Sequence, residues 1–351
     1  MKIFVNARFL TQPVSGVQRY GIECSRQIKK LYHEAEFVAP PHIIHHDIAK
    51  ELNVKIIGSR GGHLWEQIDL PLYLAKQKFP PLLNLANTGP VFYSNNYVTI
   101  HDLAFYHHPE WNSRKFSMWY NILIPRLAYR SRHIFTVSNT IKNELVKCYD
   151  LPPSKISVTF NGISQNMLEA AAGKISTKEK IILSVGTFNI RKNHPNLVAG
   201  YLDSKYNKEY CLVLVGDKNK VFKDAGIDEE TLEHTNIKIY STLTEPDLIA
   251  MYQRAEVLVS LSLYEGFGIP ILEGLFNRCK VICSDIPVYR ELFTGAVSFC
   301  DPLDLDSITA AINDLTNIPP IAPEQLDALL ARYSYKNAAE TILGKIDKGY
   351  K

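Results

Sequence analysis

The stretch LSLYEGFGIPILEGL, residues 261–275, sets two carboxylates, Glu265 and Glu273, on either side of two glycines and a proline. The apolar run that leads into it, VLVSL at 257–261, reads as a strand. Pro270 suits the first turn of a helix, where its missing N–H costs nothing. Gly266 and Gly268 let the backbone approach a ligand closely or take a positive φ. A helix starting near Gly268 to Pro270 points its free N–H groups back at the strand end, which makes a site for phosphate. Glu265 lies before that site and Glu273 one turn into the helix. Carboxylates accept hydrogen bonds from vicinal hydroxyls, such as those of a ribose or a hexose. Each acid alone has a plainer account. Glu273 could favour the positive helix end, worth ~0.3–1 kcal/mol, and Glu265 could be a solvated loop acid. Together, with the glycines and proline between them, they point to a nucleotide sugar.

The elements that must position these residues are legible as strand and helix patterns. In the first half, β-rich runs occur at 2–6, 36–40, 54–58, 82–85, 97–102, 133–138 and 156–160, with helical patterns at 16–32, 65–78, 114–131 and 139–148. The alternation repeats in the second half. Strands are expected at 180–186, 211–216, 237–240, 257–261, 280–284 and 297–300, with helices at 194–205, 244–254, 269–277 and 304–315. Strands alternating with helices imply βαβ units and parallel sheets. The polar, glycine-bearing segment 161–180 reads as a linker, and 334–350 carries a further helical period. The expected fold is α/β, with two Rossmann-like domains and ligands at the carboxyl ends of the strands.

Length and charge agree with that organisation. A chain of 351 residues suits two domains of roughly 150–200 residues. Residues 1–163 hold 19 Lys and Arg against 11 Asp and Glu, a net +8, whereas the remainder holds 20 against 25, a net −5. The basic first half suggests an acidic partner, such as a phosphate-bearing substrate or an anionic membrane surface. Nucleic acid is not expected, because no nucleic-acid-binding motif is present. No apolar run reaches the ~18 residues of a spanning helix, and MKIFVNARFL lacks a signal pattern, so a cytoplasmic protein is expected. The six cysteines are scattered and read as reduced thiols. The histidine-rich HIIHH at 42–46 reads as a solvated loop, not a metal site. The run 114–132 mixes Trp119 and Tyr120 with several arginines. It could lie against an anionic membrane, but an ordinary core helix is the preferred reading.

The segment YEGFGIPILEG resembles the E-x7-E motif of retaining glycosyltransferases of the GT-B fold, family 4. The resemblance extends in order through almost the whole chain and identifies it as a mannosyltransferase-like member of the glycosyl transferases group 1. It implies that Glu265 faces the donor sugar's hydroxyls and that Glu273 holds the nucleotide ribose. The backbone of Gly266, Phe267 and Gly268, with the helix start at Ile269 and Pro270, would bind sugar hydroxyls and diphosphate. VGTFNIRKNHPNL at 185–197 is similar to the family's loop after the first strand of the second domain. There Arg191 and Lys192 would neutralise the diphosphate leaving group, beside Gly186. Many relatives carry arginine straight after that glycine, and this chain has Thr187. VTIHDLAFYHHPEW at 98–111 carries the family's H-D pair as His101 and Asp102, the histidine near the reacting centre in a positioning role. FLTQPVSGVQRYGIE at 9–23 resembles the first loop, where Gly16 lets N–H groups approach the diphosphate. LVLVGD at 212–217, with Gly216, resembles the base-side loop. One departure is EGLFNRCKVI, with Asn277 and Arg278 where relatives have small residues.

The resemblance implies two facing domains, 1–165 for the acceptor and 175–333 for the donor, with 334–351 crossing back to the first. It implies a hexosyltransferase acting on a nucleoside-diphosphate sugar, with GDP-mannose favoured and UDP-hexoses open. The acceptor would be a glycan or lipid-linked glycan of a bacterial envelope polysaccharide, approached from the inner face of the cell membrane. No metal or other cofactor is implied. Two alternatives stand beside this reading: a nucleotide-sugar epimerase or hydrolase on the same scaffold, and a non-catalytic sugar-nucleotide-binding subunit.

Overall fold

The computed structural model describes residues 2–171, 177–216, 235–241 and 243–349. They form two compact units, one of residues 1–162 with 332–351, the other of residues 163–331.

The first unit is built on a seven-stranded, wholly parallel sheet. Its strands are β1 (Ile3–Asn6), β2 (Ala35–Ala39), β3 (Lys55–Ile56), β4 (Leu82–Asn84), β5 (Asn96–Thr99), β6 (His133–Thr136) and β7 (Ile156–Val158). Their order is β3-β2-β1-β4-β5-β6-β7. The central strands are buried along their length, because helices cover both faces. β3 is an exposed edge of two residues, shorter than the 54–58 run suggests. The helix Gly16–Leu31 packs on the last helix, Tyr335–Lys348. Between them Tyr20 meets Tyr335 edge-on, and its hydroxyl lies 2.7 Å from Thr159 Oγ1.

The second unit repeats the plan with six parallel strands among the described residues. They are β8 (Glu179–Val185), β9 (Cys211–Val215), β10 (Ile237–Tyr240), β11 (Ala255–Ser260), β12 (Lys280–Ser284) and β13 (Ser298–Cys300), in the order β10-β9-β8-β11-β12-β13. Ile182, Leu212, Leu214, Val257, Val259 and Ile282 fill the core beside the helices His194–Leu202 and Leu305–Asn313.

Each sheet has one place where the strand order reverses: between β1 and β4 in the first unit, and between β8 and β11 in the second. A crevice opens there because the two flanking connections leave on opposite faces, and ligands of such sheets bind at the carboxyl ends of those strands.

Several local expectations change. The linker reading of 161–180 is corrected by a helix at Gln165–Ala171, whose Met167 is buried and whose Asn166 donates to Glu245 at 2.5 Å. Its apolar side supplied too short a period to register as a helix. Residues 172–176 lie outside the described residues, as does Asp217 of the LVLVGD loop. The helix expected over 65–78 opens with a π-helical turn at Trp65–Asp69 before Leu70–Lys76. All six cysteines are free. Among the described residues no group of three or more His, Cys, Asp or Glu could hold a metal ion, and no helix is long and apolar enough to cross a membrane.

Candidate functional site

At the switch point of the second sheet, β8 ends in Gly186 and the chain turns tightly. Gly186 N–H donates to Val215 O at 2.9 Å, and Gly216 packs against Gly186 so closely that a Cβ on Gly216 would lie 1.9 Å from the Gly186 carbonyl oxygen. No other residue fits position 216 without moving the backbone. Thr187 is exposed, and its hydroxyl accepts from Asn189 Nδ2 at 3.0 Å. Asn189 in turn caps a 3-10 turn, Ile190–Lys192, by accepting from Lys192 N–H at 3.1 Å. Asn193 takes a left-handed φ of 56° and redirects the chain into the helix that starts at His194.

That turn aims its two cations at the exit of β11. Leu263 N–H donates to Arg191 O at 2.8 Å, which locks the turn to the strand exit carrying Glu265. Lys192 Nζ then donates to Glu265 Oε1 at 2.5 Å, and Arg191 Nη2 lies 4.0 Å from Glu265 Oε2. The Glu265 side chain is 11% exposed. Burial pushes its carboxyl up, but Arg191 and Lys192 overcome that and bring it down to about 2. Two cations face the Glu265 carboxylate, one of them beyond the Lys192–Glu265 pair, an arrangement that suits an anionic ligand. Burial and Lys192 also lower His194, to about 3, which keeps that ring neutral.

Gly268 caps the helix Ile269–Phe276 with a φ of 112°, a conformation side chains rarely adopt. A Cβ there would also meet the Tyr289 ring at 2.7 Å. Gly266 is buried and Phe267 turns its ring inward against Phe293, with centroids 6.1 Å apart, so only the backbone of these residues is presented to a ligand. Ile269 and Pro270 form the helix start, half-buried, and Glu273 is buried one turn later. The second unit thus gathers Gly186, Arg191, Lys192, Gly216 and Glu265 at one switch point, with the Gly268 helix following the same strand exit.

The remaining expected residues belong to the first unit. His101 follows β5, and its N–H donates to Asn87 Oδ1 at 2.8 Å. Its Nε2 lies 2.9 Å from Leu85 O, so Nε2 carries the proton and donates, leaving Nδ1 for other partners. Burial holds this imidazole below its ordinary pKa, against the opposing effects of the Leu85 hydrogen bond and Asp102. Asp102 accepts from Ala104 N–H at 3.1 Å, at the start of the short helix Ala104–His107. Gly16 is the exposed first residue of the helix Gly16–Leu31, after Ser15, whose N–H donates to Gln18 Oε1 at 3.2 Å.

Sequence reasoning missed a second polar cluster. At the switch point of the first sheet, Glu66 is buried and its Oε1 accepts from Asn6 Nδ2 at 3.0 Å, Arg8 Nε at 3.1 Å and Thr88 Oγ1 at 3.0 Å. Arg8 Nη2 also donates to Thr88 Oγ1 at 2.7 Å. A signal for it existed: Asn6 and Arg8 are polar side chains at the exit of the apolar strand, Arg8 between Ala7 and Phe9.

Two parallel sheets of this topology, each with polar side chains at its switch point, define the framework of GT-B glycosyltransferases. The protein whose solved structure is Anabaena HepE in complex with UDP-glucose has the same fold, with a TM-score of 0.73, 14% identity, and coverage of 99% of this chain and 100% of that one. The family model "Glycosyl transferases group 1" matches residues 168–336, and "Glycosyltransferase Family 4" matches residues 94–166. The chain belongs to this family and is a glycosyltransferase. It is similar to the O-antigen chain mannosyltransferase RfbU of Salmonella typhimurium, 27% identical over 71% of this chain and 68% of that protein. It is also similar to the O-antigen chain mannosyltransferase B of Escherichia coli, 25% identical over 89% of this chain and 90% of the relative.

Proposed function

We propose that the protein is a retaining hexosyltransferase of bacterial O-antigen or related envelope-polysaccharide synthesis. It moves a hexose from a nucleoside-diphosphate sugar to a hydroxyl of a glycan or lipid-linked glycan. GDP-mannose is the favoured donor, a choice supported by relatives named as O-antigen mannosyltransferases. The observation that carries the reading is the partly buried Glu265 facing Lys192 and Arg191 at the switch point of the second sheet.

The chemistry assigned to each residue follows from its charge. In the proposed reaction the bond from the sugar's C1 to the β-phosphate oxygen breaks, and a bond from C1 to the acceptor oxygen forms on the same face. The leaving diphosphate takes the acceptor's proton. Charge therefore grows on the diphosphate, where Arg191 and Lys192 stabilise it. A carboxyl held well below the usual range by Arg191 and Lys192 is ionised at pH 7. Glu265 is therefore no general acid. It accepts hydrogen bonds from the donor's hydroxyls and holds the two cations in register. Glu273 is assigned to the ribose, the Gly266–Pro270 backbone to diphosphate and sugar, and His101 to positioning. With two cations doing the work of charge neutralisation, the reading requires no metal, and transfer is expected to persist in EDTA. Peripheral binding at the inner face of the membrane belongs to the same proposal, supported by the basic first half of the chain.

The test is a transfer assay with GDP-mannose and UDP-glucose on glycolipid acceptors, with the product's anomeric configuration read by NMR. An α-linked product from an α-linked donor supports the reading. An inverted product contradicts retention, and donor consumption without transfer moves the assignment to a hydrolase or epimerase.

A further inference from the structure

We propose that Arg8, Glu66 and His63, with the Trp119 ring beside them, form a subsite in the first unit for one hexose ring of the acceptor. This rests on the glycosyltransferase reading and names where its acceptor is recognised.

The cluster lies at the switch point of the first sheet. Asn6 and Asn84 end β1 and β4, the strands between which the order of the first sheet reverses, and their side chains bond to each other at 2.9 Å. Arg8 and Thr88 follow those two strand ends. A parallel sheet takes its ligand at that point, and the second sheet places Lys192 and Glu265 at its own equivalent.

Arg8 also keeps an unused donor. The Arg8 side chain is only 9% exposed. Its Nε is spent on Glu66 and its Nη2 on Thr88, and among the described residues Nη1 has no hydrogen-bond partner. A guanidinium fixed by two bonds, with an N–H left at the accessible edge of the cluster, can donate to a ligand or to water there. Arg8, Glu66, Thr88 and Leu85 help to line a cavity of about 10 Å³. That is room for one hydroxyl or one water, not for a sugar ring. The ring itself must lie outside.

Charge favours a neutral ligand here. Burial pushes the Glu66 carboxyl up, but Arg8, then His63 and Thr88, hold it below the usual range. Arg8 and Glu66 therefore cancel. A phosphate gains little there, whereas a neutral hydroxyl is well served by a fixed N–H.

An aromatic rim borders the cluster. His63 Nδ1 lies 3.3 Å from Glu66 Oε2, and the His63 ring meets Trp119 and Tyr120 edge-on at 6.0 and 6.3 Å. Trp119 is 41% exposed, so its ring is open to the C–H face of a sugar. Burial raises the Tyr120 hydroxyl, on which Arg8, Glu66 and Asp102 also act, so this rim lies within electrostatic range of the His101–Asp102 turn. Glu66 itself sits on the π-helical turn Trp65–Asp69, a feature frequent at functional sites, and is buried there.

The experiment is saturation-transfer NMR on the full-length protein with the methyl α-glycosides of mannose, glucose and galactose, alongside calorimetric titration with UDP and GDP. At least one glycoside should receive saturation at its ring protons. Trp119→Ala should reduce that signal at least threefold, and Arg8→Lys, which keeps the charge beside Glu66 but loses the fork, should do likewise. Nucleotide binding should stay at the wild-type level in both. No saturation of any glycoside by the wild-type protein overturns the subsite, as does a wild-type signal from the folded Trp119→Ala variant. Absence of nucleotide binding in the wild-type protein is a different failure, that of the glycosyltransferase reading itself.

Discussion

The two units use one topology for two electrostatic designs. At its switch point the second sheet turns Arg191 and Lys192 toward the carboxylate of Glu265, leaving one cation beyond the Lys192–Glu265 pair. At its own switch point the first sheet sets Arg8 against Glu66 and satisfies the carboxylate with Asn6 and Thr88, leaving none. The framework dictates where a ligand sits, and the side chains dictate its charge. An anionic diphosphate suits the first design described, and a neutral polyol suits the second.

The largest expected effect breaks the cationic side of this comparison. Lys192→Ala and Glu265→Gln should each lower transfer by about 10²–10³-fold, the scale of removing one preorganised charge contact, with the far-ultraviolet circular dichroism unchanged. Wild-type turnover in either purified variant would remove these residues from the site.

Next comes the backbone that shapes the same site. Gly268→Ala imposes a side chain at a φ of 112° and against the Tyr289 ring. It should cost about 1–3 kcal/mol in urea unfolding and weaken nucleotide binding. A neutral result would mean that the helix start is not held in this conformation.

Acid should act on both units, but at different groups. His101 and His133 in the first unit and His194 in the second are all held below their ordinary pKa by burial, with His133 lowered to about 4 and His194 to about 3. The unfolded chain takes up these protons from about pH 6.5 downward while the folded chain does not. Stability from these rings is thus fully present above pH 6.5 and is lost as pH falls toward 4 and 3. Glu265, depressed to about 2, adds a loss that begins only below about pH 4.5. Melting temperatures should therefore fall already between pH 6.5 and 5. In that interval His194→Gln should lessen the slope, and Glu265→Gln should leave it unaltered.

The smallest effect is a control. Arg254 and Glu179 form an exposed pair at 2.6 Å, each side chain nearly half exposed. Arg254→Ala should change stability by less than about 1 kcal/mol and leave transfer intact.

The contrast between the units also explains what could be read from sequence. Glu265 and Glu273 are eight residues apart and are joined by one strand exit and one helix start, so local rules locate them. Arg191 and Lys192 are cations at the end of a recognisable strand. The network of the first unit has no such local signature, because Arg8 finds Glu66 58 residues away and Thr88 80 away. Only the sheet order brings those segments together. Strand positions were legible to within a few residues because parallel strands covered on both faces are nearly all apolar. The Gln165–Ala171 helix was not, because one turn or two of mixed polarity carries little period. Nor was the π-helical turn at Trp65–Asp69, whose pattern is that of an ordinary helix.

The most direct measurement is calorimetric titration of the purified protein with UDP, GDP and dTDP, repeated with Lys192→Ala and Glu273→Ala. Selective binding of one nucleotide is expected, with GDP favoured, weakened by either substitution in a folded protein. If none of the three binds the wild-type protein, or if one binds equally well to both folded variants, the second switch point is not the donor site.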